Sequence, residues 1–182
     1  VTTLTFGAIA DTIELAGGTY DFSAITMTST DASTLDLNTA DNLAKTLTVD
    51  AADFTGFSGA VTGETTTDIV TTINFNDTDN ISAYALTNID VVTIGGTDQT
   101  LTIDEDDIGA ATLFGTITGS GDSNLVILDV AIGDGALTLA NTTISGFDTI
   151  TTDQGTATIT VDAASLGSTA VTLVGTSTTD FS

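Results

Sequence analysis

The chain has 182 residues and a formal net charge of −24, because 25 acidic side chains are opposed by one lysine, Lys45. Nucleic acids and anionic membrane surfaces are bound through clusters of Lys and Arg, so both are excluded as partners. Without histidine or cysteine, the chain can form no Ser-His-Asp triad, no thiol nucleophile and no zinc site of the usual kind.

The apolar content of the chain argues against disorder. Hydrophobic residues make up 41% of the sequence and the mean hydropathy is +0.34, whereas disordered chains combine high net charge with low hydrophobicity. The apolar runs are short, so we expect no membrane-spanning helix and no direct membrane insertion.

The predicted elements are strands. Short runs alternate between apolar and polar residues and are bounded by Gly, Asp, Asn and Ser, which is typical of strands with one buried face. The clearest runs are Leu4–Phe6, Thr34–Leu37, Thr46–Val49, Thr100–Ile103, Leu125–Leu128, Thr158–Val161 and Val171–Val174.

An internal repeat connects these strands. Glycines that follow a strand recur every 56 positions, at Gly7, Gly63, Gly119 and Gly175. A Thr-x-Thr strand followed by acidic or small residues recurs with nearly the same period, in blocks that begin at Thr46, Thr100 and Thr158. The register predicts one domain, 1–182, with repeats 7–62, 63–118 and 119–174 between partial repeats 1–6 and 175–182.

Fixed-period repeats built from strands predict an all-β parallel β-solenoid, with two coils of about 28 residues in each repeat of about 56 residues. The main alternative is an immunoglobulin-like sandwich, whose strands have a similar spacing. Each unit of a tandem array of such sandwiches needs about 100 residues, so the observed repeat is too short for it.

Aspartates are the candidate functional residues. Carboxylates in stacked coils form rows of like charge, and Ca²⁺, which accepts six to eight oxygen ligands in flexible geometry, would relieve their repulsion. The candidate ligands are Asp50, Asp53, Asp104, Asp106, Asp107, Asp122, Asp134 and Asp162. Each aspartate has an alternative role as a turn residue, because its side chain accepts backbone hydrogen bonds there.

Threonine makes up close to a quarter of the chain and suggests other functions. Regular threonine rows on a flat solenoid face can order water, so an ice-binding module is an alternative, with a carbohydrate-binding module behind it. Threonine is also simply a favourable polar residue for the outer face of a strand. Two carboxylates can hydrolyse glycosides, but nothing distinguishes one aspartate pair from another, and we expect no enzymatic activity.

The segments Ile144–Ile150 and Thr158–Ala164 resemble the β-solenoid regions of bacterial S-layer proteins and of secreted adhesins related to the RTX group. The resemblance implies a secreted, cell-surface structural protein whose assembly calcium organises, in a surface layer, a biofilm matrix fibre or an adhesin stalk. The Gly-Gly-x-Gly-x-Asp nonapeptide is missing, so no individual ligand is implied. Neither end of the sequence resembles a polar cap, and we therefore expect either an internal slice of a longer solenoid or a homopolymer stacked end to end.

Overall fold

The computed structural model is an all-β solenoid. It describes residues 2–7, 11–29, 33–50, 53, 56–66, 69–82, 84–104, 115–128, 137–138, 142–153, 159–161, 166, 172–175 and 179–181. The named elements are strands, and every pairing between them is parallel. In chain order they are β1 (Thr2–Thr5), β2 (Thr12–Glu14), β3 (Gly18–Asp21), β4 (Ile25–Thr28), β5 (Thr34–Asp36), β6 (Lys45–Val49), β7 (Ala60–Thr62), β8 (Thr71–Phe75), β9 (Asp79–Asn80), β10 (Ala85–Thr87), β11 (Val91–Ile94), β12 (Thr100–Asp104), β13 (Thr116–Leu128), β14 (Leu137–Thr138), β15 (Thr143–Asp153), β16 (Ile159–Val161), β17 (Thr172–Gly175) and β18 (Thr179–Phe181).

The strands occupy three sides of the coil in turn. Followed around the coil, the first side holds the two-stranded sheet of β1 and β4, and then β9, β12, the second halves of β13 and β15, and β17. The second side holds the sheet of β2, β5, β7 and β10, and then the separate sheet of β14, β16 and β18. The third holds β3, β6, β8, β11 and the first halves of β13 and β15. Strand β13 continues around a corner, because Thr116–Thr118 pair with β11 and Asn124–Leu128 pair with β12. Each of the seven strand runs predicted above overlaps an observed strand, and the predicted parallel solenoid is confirmed.

The coils are shorter than predicted. The residues that pair between successive coils are 19 positions apart at Thr72 and Val91, and 27 positions apart at Gly18 and Lys45. The structure does not confirm the sequence repeat as a stacking unit. Two such coils contain fewer residues than one sequence repeat. Each repeat therefore makes two full circuits and continues onto the next side of the solenoid.

The markers of the repeat accordingly lie on different sides. Gly7 follows β1 on the first side, Gly63 follows β7 on the second, and Gly119 lies in the third-side half of β13. The three Thr-x-Thr blocks also separate, because they form β6, β12 and β16, which lie on the third, first and second sides. Equivalent positions of the sequence repeat therefore do not stack on one another.

Period-2 alternation produces the core. In β6, Lys45, Leu47 and Val49 are buried, whereas Thr46 and Thr48 between them are only partly buried. Leu47 pairs with Ile73, and Ile73 pairs with Val92, so buried apolar side chains stack from coil to coil. This stacking removes apolar surface from water at every coil and is the main favourable contribution to stability.

Gly63 sits where two coils approach closely. A Cβ atom at this position would lie 1.9 Å from the backbone oxygen of Asn88 in the next coil. We expect Gly63→Ala to lower the free energy of unfolding by about 1–3 kcal/mol, because backbone must move to accept the methyl group. Gly95→Ala is the control, since its Cβ would have its nearest neighbour at 3.8 Å. Equal melting temperatures for the two variants in thermal unfolding would contradict the close approach.

Candidate functional site

The structure describes four of the eight aspartates predicted as metal ligands. Asp50 is partly exposed after β6, Asp53 is buried, Asp104 is partly exposed at the end of β12, and Asp122 is exposed within β13. The other four, Asp106, Asp107, Asp134 and Asp162, lie outside the described residues. Among the described residues, no group of three or more acidic side chains is arranged to hold a metal ion.

Six aspartates mark one corner of the solenoid, which we call the acidic corner. Five lie between the third side of one coil and the first side of the next, and the sixth is the last residue of β3 on the third side. The five are Asp50, Asp77, Asp98, Asp122 and Asp148, and the sixth is Asp21. Successive corners are in contact, because the Asp98 N–H donates to the Asp122 carbonyl oxygen at 3.1 Å. Stacking therefore brings one carboxylate per coil to the same edge of the molecule.

Asp53 lies next to the acidic corner but is turned inward. Its side-chain oxygen accepts a hydrogen bond from the Asp50 N–H at 2.7 Å. Burial raises the pKa of Asp53, the Asp50 hydrogen bond opposes this rise, and the negative charges of Asp50 and Asp21 add to it. The structure thus brings two predicted ligands together, Asp50 and Asp53, in a turn stabilised by their own hydrogen bond.

Asp79 is a second inward carboxylate, one coil further on, and the sequence patterns did not point to it. It is 4% exposed, Tyr84 Oη donates to its Oδ1 at 3.1 Å, and its Oδ2 has no hydrogen-bond partner. Burial raises the pKa of Asp79 to about 6, with smaller contributions from the charges of Asp53 and Asp77. Burial and the Asp79 charge also raise the pKa of Tyr84.

Lys45 is buried on the inside of the solenoid, although it is the chain's only basic side chain. Its Nζ donates to Asp41 Oδ1 at 2.9 Å and to the Leu43 carbonyl oxygen at 2.8 Å, and lies 3.7 Å from Glu64 Oε2. Glu64 is buried as well, and its Oε1 accepts hydrogen bonds from Thr65 N and Thr66 Oγ1.

The Lys45 ammonium holds the pKa of Asp41 well below its usual range. We call Lys45, Asp41 and Glu64 the lysine centre. It connects two coils, because Asp41 precedes β6 while Glu64 lies between β7 and β8.

Two rows of mainly hydroxyl side chains cover the outer face of the third side, and we call them the hydroxyl array. Strand pairing places Thr19, Thr46, Thr72, Val91, Thr116 and Thr143 in one row. The second row contains Asp21, Thr48, Asn74, Thr93, Thr118 and Ser145.

Hydrogen bonds link neighbours along the second row of the array. Asn74 Nδ2 donates to Thr48 Oγ1 at 3.4 Å, Thr93 Oγ1 donates to Asn74 Oδ1, and the Thr118 and Ser145 hydroxyls are 3.4 Å apart. These bonds hold the side chains at the spacing of the coils.

No protein-family model, curated protein or solved structure matches this chain. The described residues contain no helix that is both long and apolar enough to span a bilayer.

Proposed function

We propose that this chain is a structural, extracellular repeat protein of a surface layer, matrix fibre or adhesin stalk, which associates end to end and is stabilised by calcium. The observation that carries the proposal is the stack itself, in which strands pair in parallel from coil to coil, a pattern that a further coil can continue. Among the described residues, β1, β2 and β3 pair only with β4, β5 and β6, so their outer edges have no partner strand. Unpaired parallel edges are templates for another chain, and a head-to-tail contact of this kind does not close, so it produces filaments.

The edge of β3 offers a direct test. Gly18 N and Phe22 N donate to the Ala44 and Thr48 carbonyl oxygens of the β6 coil. Residues of a parallel strand alternate between their two neighbours, so the Thr19 N–H is directed to the open edge. Proline at this position removes that donor without removing a hydrogen bond inside the solenoid.

We expect the unmodified chain to form rods or filaments of constant width in negative-stain microscopy, and concentration-dependent species in sedimentation velocity. Thr19→Pro should remain monomeric with a near-unchanged melting temperature. Thr87→Val on the second side is the matched control and should assemble normally, because this substitution keeps the backbone donor. A chain that stays monomeric at all concentrations would contradict end-to-end assembly.

The calcium part of the proposal rests on charge. Coils stack at about 4.8 Å, so the acidic corner sets like charges at close intervals, and a divalent cation would reduce their repulsion. We expect calcium to raise the melting temperature more than sodium chloride of equal ionic strength does, and a chelator to reverse the effect. Identical melting curves in calcium and in matched sodium chloride would refute this part of the proposal alone.

Ice binding is a second candidate function, and the hydroxyl array favours it. Coils repeat at about 4.8 Å and alternate residues of a strand at about 6.6 Å, distances close to repeat distances in the ice lattice. Asp21 is the array's only charged side chain, and it lies on the edge strand β3. The surface is therefore regular and largely uncharged, as a water-ordering face must be.

For this candidate we expect thermal hysteresis in the unmodified chain. Thr72→Tyr, at the middle of the array, should abolish most of that activity by interrupting the flat surface. Thr87→Tyr, an outward position on the second side, should leave the activity intact. Hysteresis equal in the two variants would rule out the hydroxyl array as the ice-binding face.

A further inference from the structure

The lysine centre contains the parts of an acyl-transfer site, and we propose that Lys45 and Asp41 condense to form an intramolecular amide bond, with Glu64 as a proton carrier. The proposal concerns a covalent modification and does not depend on the proposed function. An amide between these side chains would lock the loop before β6 to the strand itself.

The reacting groups are already in contact. Lys45 Nζ is 2.9 Å from Asp41 Oδ1, within hydrogen-bond distance of the carboxyl group that it would attack. The Lys45 and Glu64 side chains are 0% and 3% exposed and the Asp41 side chain is 26% exposed, so water is excluded from the amine and reaches only the Asp41 side of the centre. Holding a nucleophile against its electrophile replaces a bimolecular encounter by a single oriented step.

The Asp41 carboxyl group is polarised by backbone donors. Gly17 N–H donates to Oδ2, and Leu43 N–H donates to Oδ1 at 3.0 Å. When the amine adds to Cγ, negative charge develops on the carboxyl oxygens, and fixed N–H donors at those atoms stabilise it. The Gly17 donor is suited to hold Oδ2 as the oxyanion while Oδ1 departs.

Glu64 supplies the proton acceptor. Its Oε2 lies 3.7 Å from Lys45 Nζ and has no hydrogen-bond partner, so it is available to the ammonium group. Carboxylates act as general bases and then as general acids in this way.

The step balances without a co-reactant. The C–N bond forms between Asp41 Cγ and Lys45 Nζ, and the Cγ–Oδ1 bond breaks. Of the three ammonium protons, one stays on the amide nitrogen. Another passes along the 2.9 Å hydrogen bond to Asp41 Oδ1, which gives the neutral amine and the carboxylic acid that it attacks. The third passes through Glu64 to Oδ1, which leaves as water, and Glu64 returns to its carboxylate form.

The ion pair between Lys45 and Asp41 is the starting state of this reaction. Its lysine is buried and its aspartate is 26% exposed, and a buried charge carries a desolvation cost that attraction to its partner often fails to recover. Condensation removes both charges and leaves a neutral amide. A chain with 25 acidic groups and one basic group places that one amine inside, beside two carboxylates, rather than on its surface.

The sequence provides a direct assay, because Lys45 is its only site for trypsin. After incubation of the folded chain at neutral pH, we expect its intact mass to be lower by one water molecule. The denatured chain should then resist trypsin, because an acylated lysine is not cleaved. A chain of full mass that trypsin splits into 1–45 and 46–182 would overturn the proposal.

Variants assign the roles. Each is shown to be folded by circular dichroism before incubation, and its product is read by mass and by digestion after denaturation. Lys45→Arg retains the positive charge but has no amine to react, so it should show the full mass. If this variant also lost water, the loss would come from another pair of groups and the proposal would be refuted. Asp41→Asn should lose ammonia and give the same linked product as the unmodified chain. Glu64→Gln should remain unlinked, and linkage at the normal rate would refute the proton-carrying role of Glu64.

Discussion

Lys45→Met is expected to lower the free energy of unfolding at neutral pH by about 3–5 kcal/mol, the usual effect of removing one partner of a buried ion pair. Methionine matches the length and apolar character of the lysine stem, so the loss is electrostatic rather than a packing defect. The Glu64 carboxylate is 6% exposed. In the variant it would stay buried without the lysine cation that compensates its charge. Urea denaturation with a comparison of m-values measures the change.

The double variant Lys45→Met/Glu64→Gln is the control. Neutralising Glu64 removes the uncompensated charge, so the double variant should be more stable than Lys45→Met alone, and the two substitutions should be strongly non-additive. Additive effects would show that Lys45 and Glu64 do not interact in the folded protein. These effects are expected of the ionic centre, and the trypsin assay shows whether Lys45 is ionic or condensed in the sample used.

Strand positions and fold class were predictable from the sequence because both follow from period-2 alternation and a regular repeat. The run Thr46–Val49 predicts a half-buried strand, and β6 is observed there with the expected alternation of burial. The size of the coil was not predictable from the same register. The repeat length is the number of residues after which the sequence pattern recurs. Stacking depends on a different quantity, the number of residues in one coil.

The difference matters for function. The Thr-x-Thr pairs of the repeated blocks, which begin at Thr46, Thr100 and Thr158, occur once per repeat, too rarely for a continuous face. Strand pairing assembles the hydroxyl array from coils whose sequences are not alike, for example Thr72-Ile73-Asn74 beside Val91-Val92-Thr93. Asparagine, serine and valine take some positions in the rows, so a search for threonine pairs alone does not find the array.

The lysine centre had a sequence signal, and Asp79 had none. Lys45 shares its alternation with Leu47 and Val49, so the pattern alone places its side chain on the buried face. Asp79 lies in the polar segment 76–80, whose strand β9 has only two residues. Asp79 is buried by packing against neighbouring coils, and the local sequence pattern does not predict this burial.

Asp79→Asn is expected to stabilise the protein at neutral pH and to flatten its stability between pH 4 and pH 7. Burial raises the pKa of Asp79 from 3.8 to about 6 in the folded state. Between these values the folded state binds more protons than the unfolded state, so its stability falls as pH rises. The contribution of the protonated Asp79 side chain to the free energy of unfolding is fully present below pH 4 and is lost above pH 6. The difference is up to about 3 kcal/mol.

Asparagine carries no charge and can keep the oxygen that accepts the Tyr84 hydroxyl, so the variant isolates the cost of the buried anion. Asp77→Asn is the matched control, because Asp77 is exposed two residues away and its substitution should leave the pH dependence nearly unchanged. Urea denaturation of the three proteins at several pH values gives the difference curves. If the curve for Asp79→Asn runs parallel to that of the unmodified chain, Asp79 does not titrate in this range. The pH dependence would then belong to another inward carboxylate, for which Asp53, also 4% exposed, is the nearest candidate.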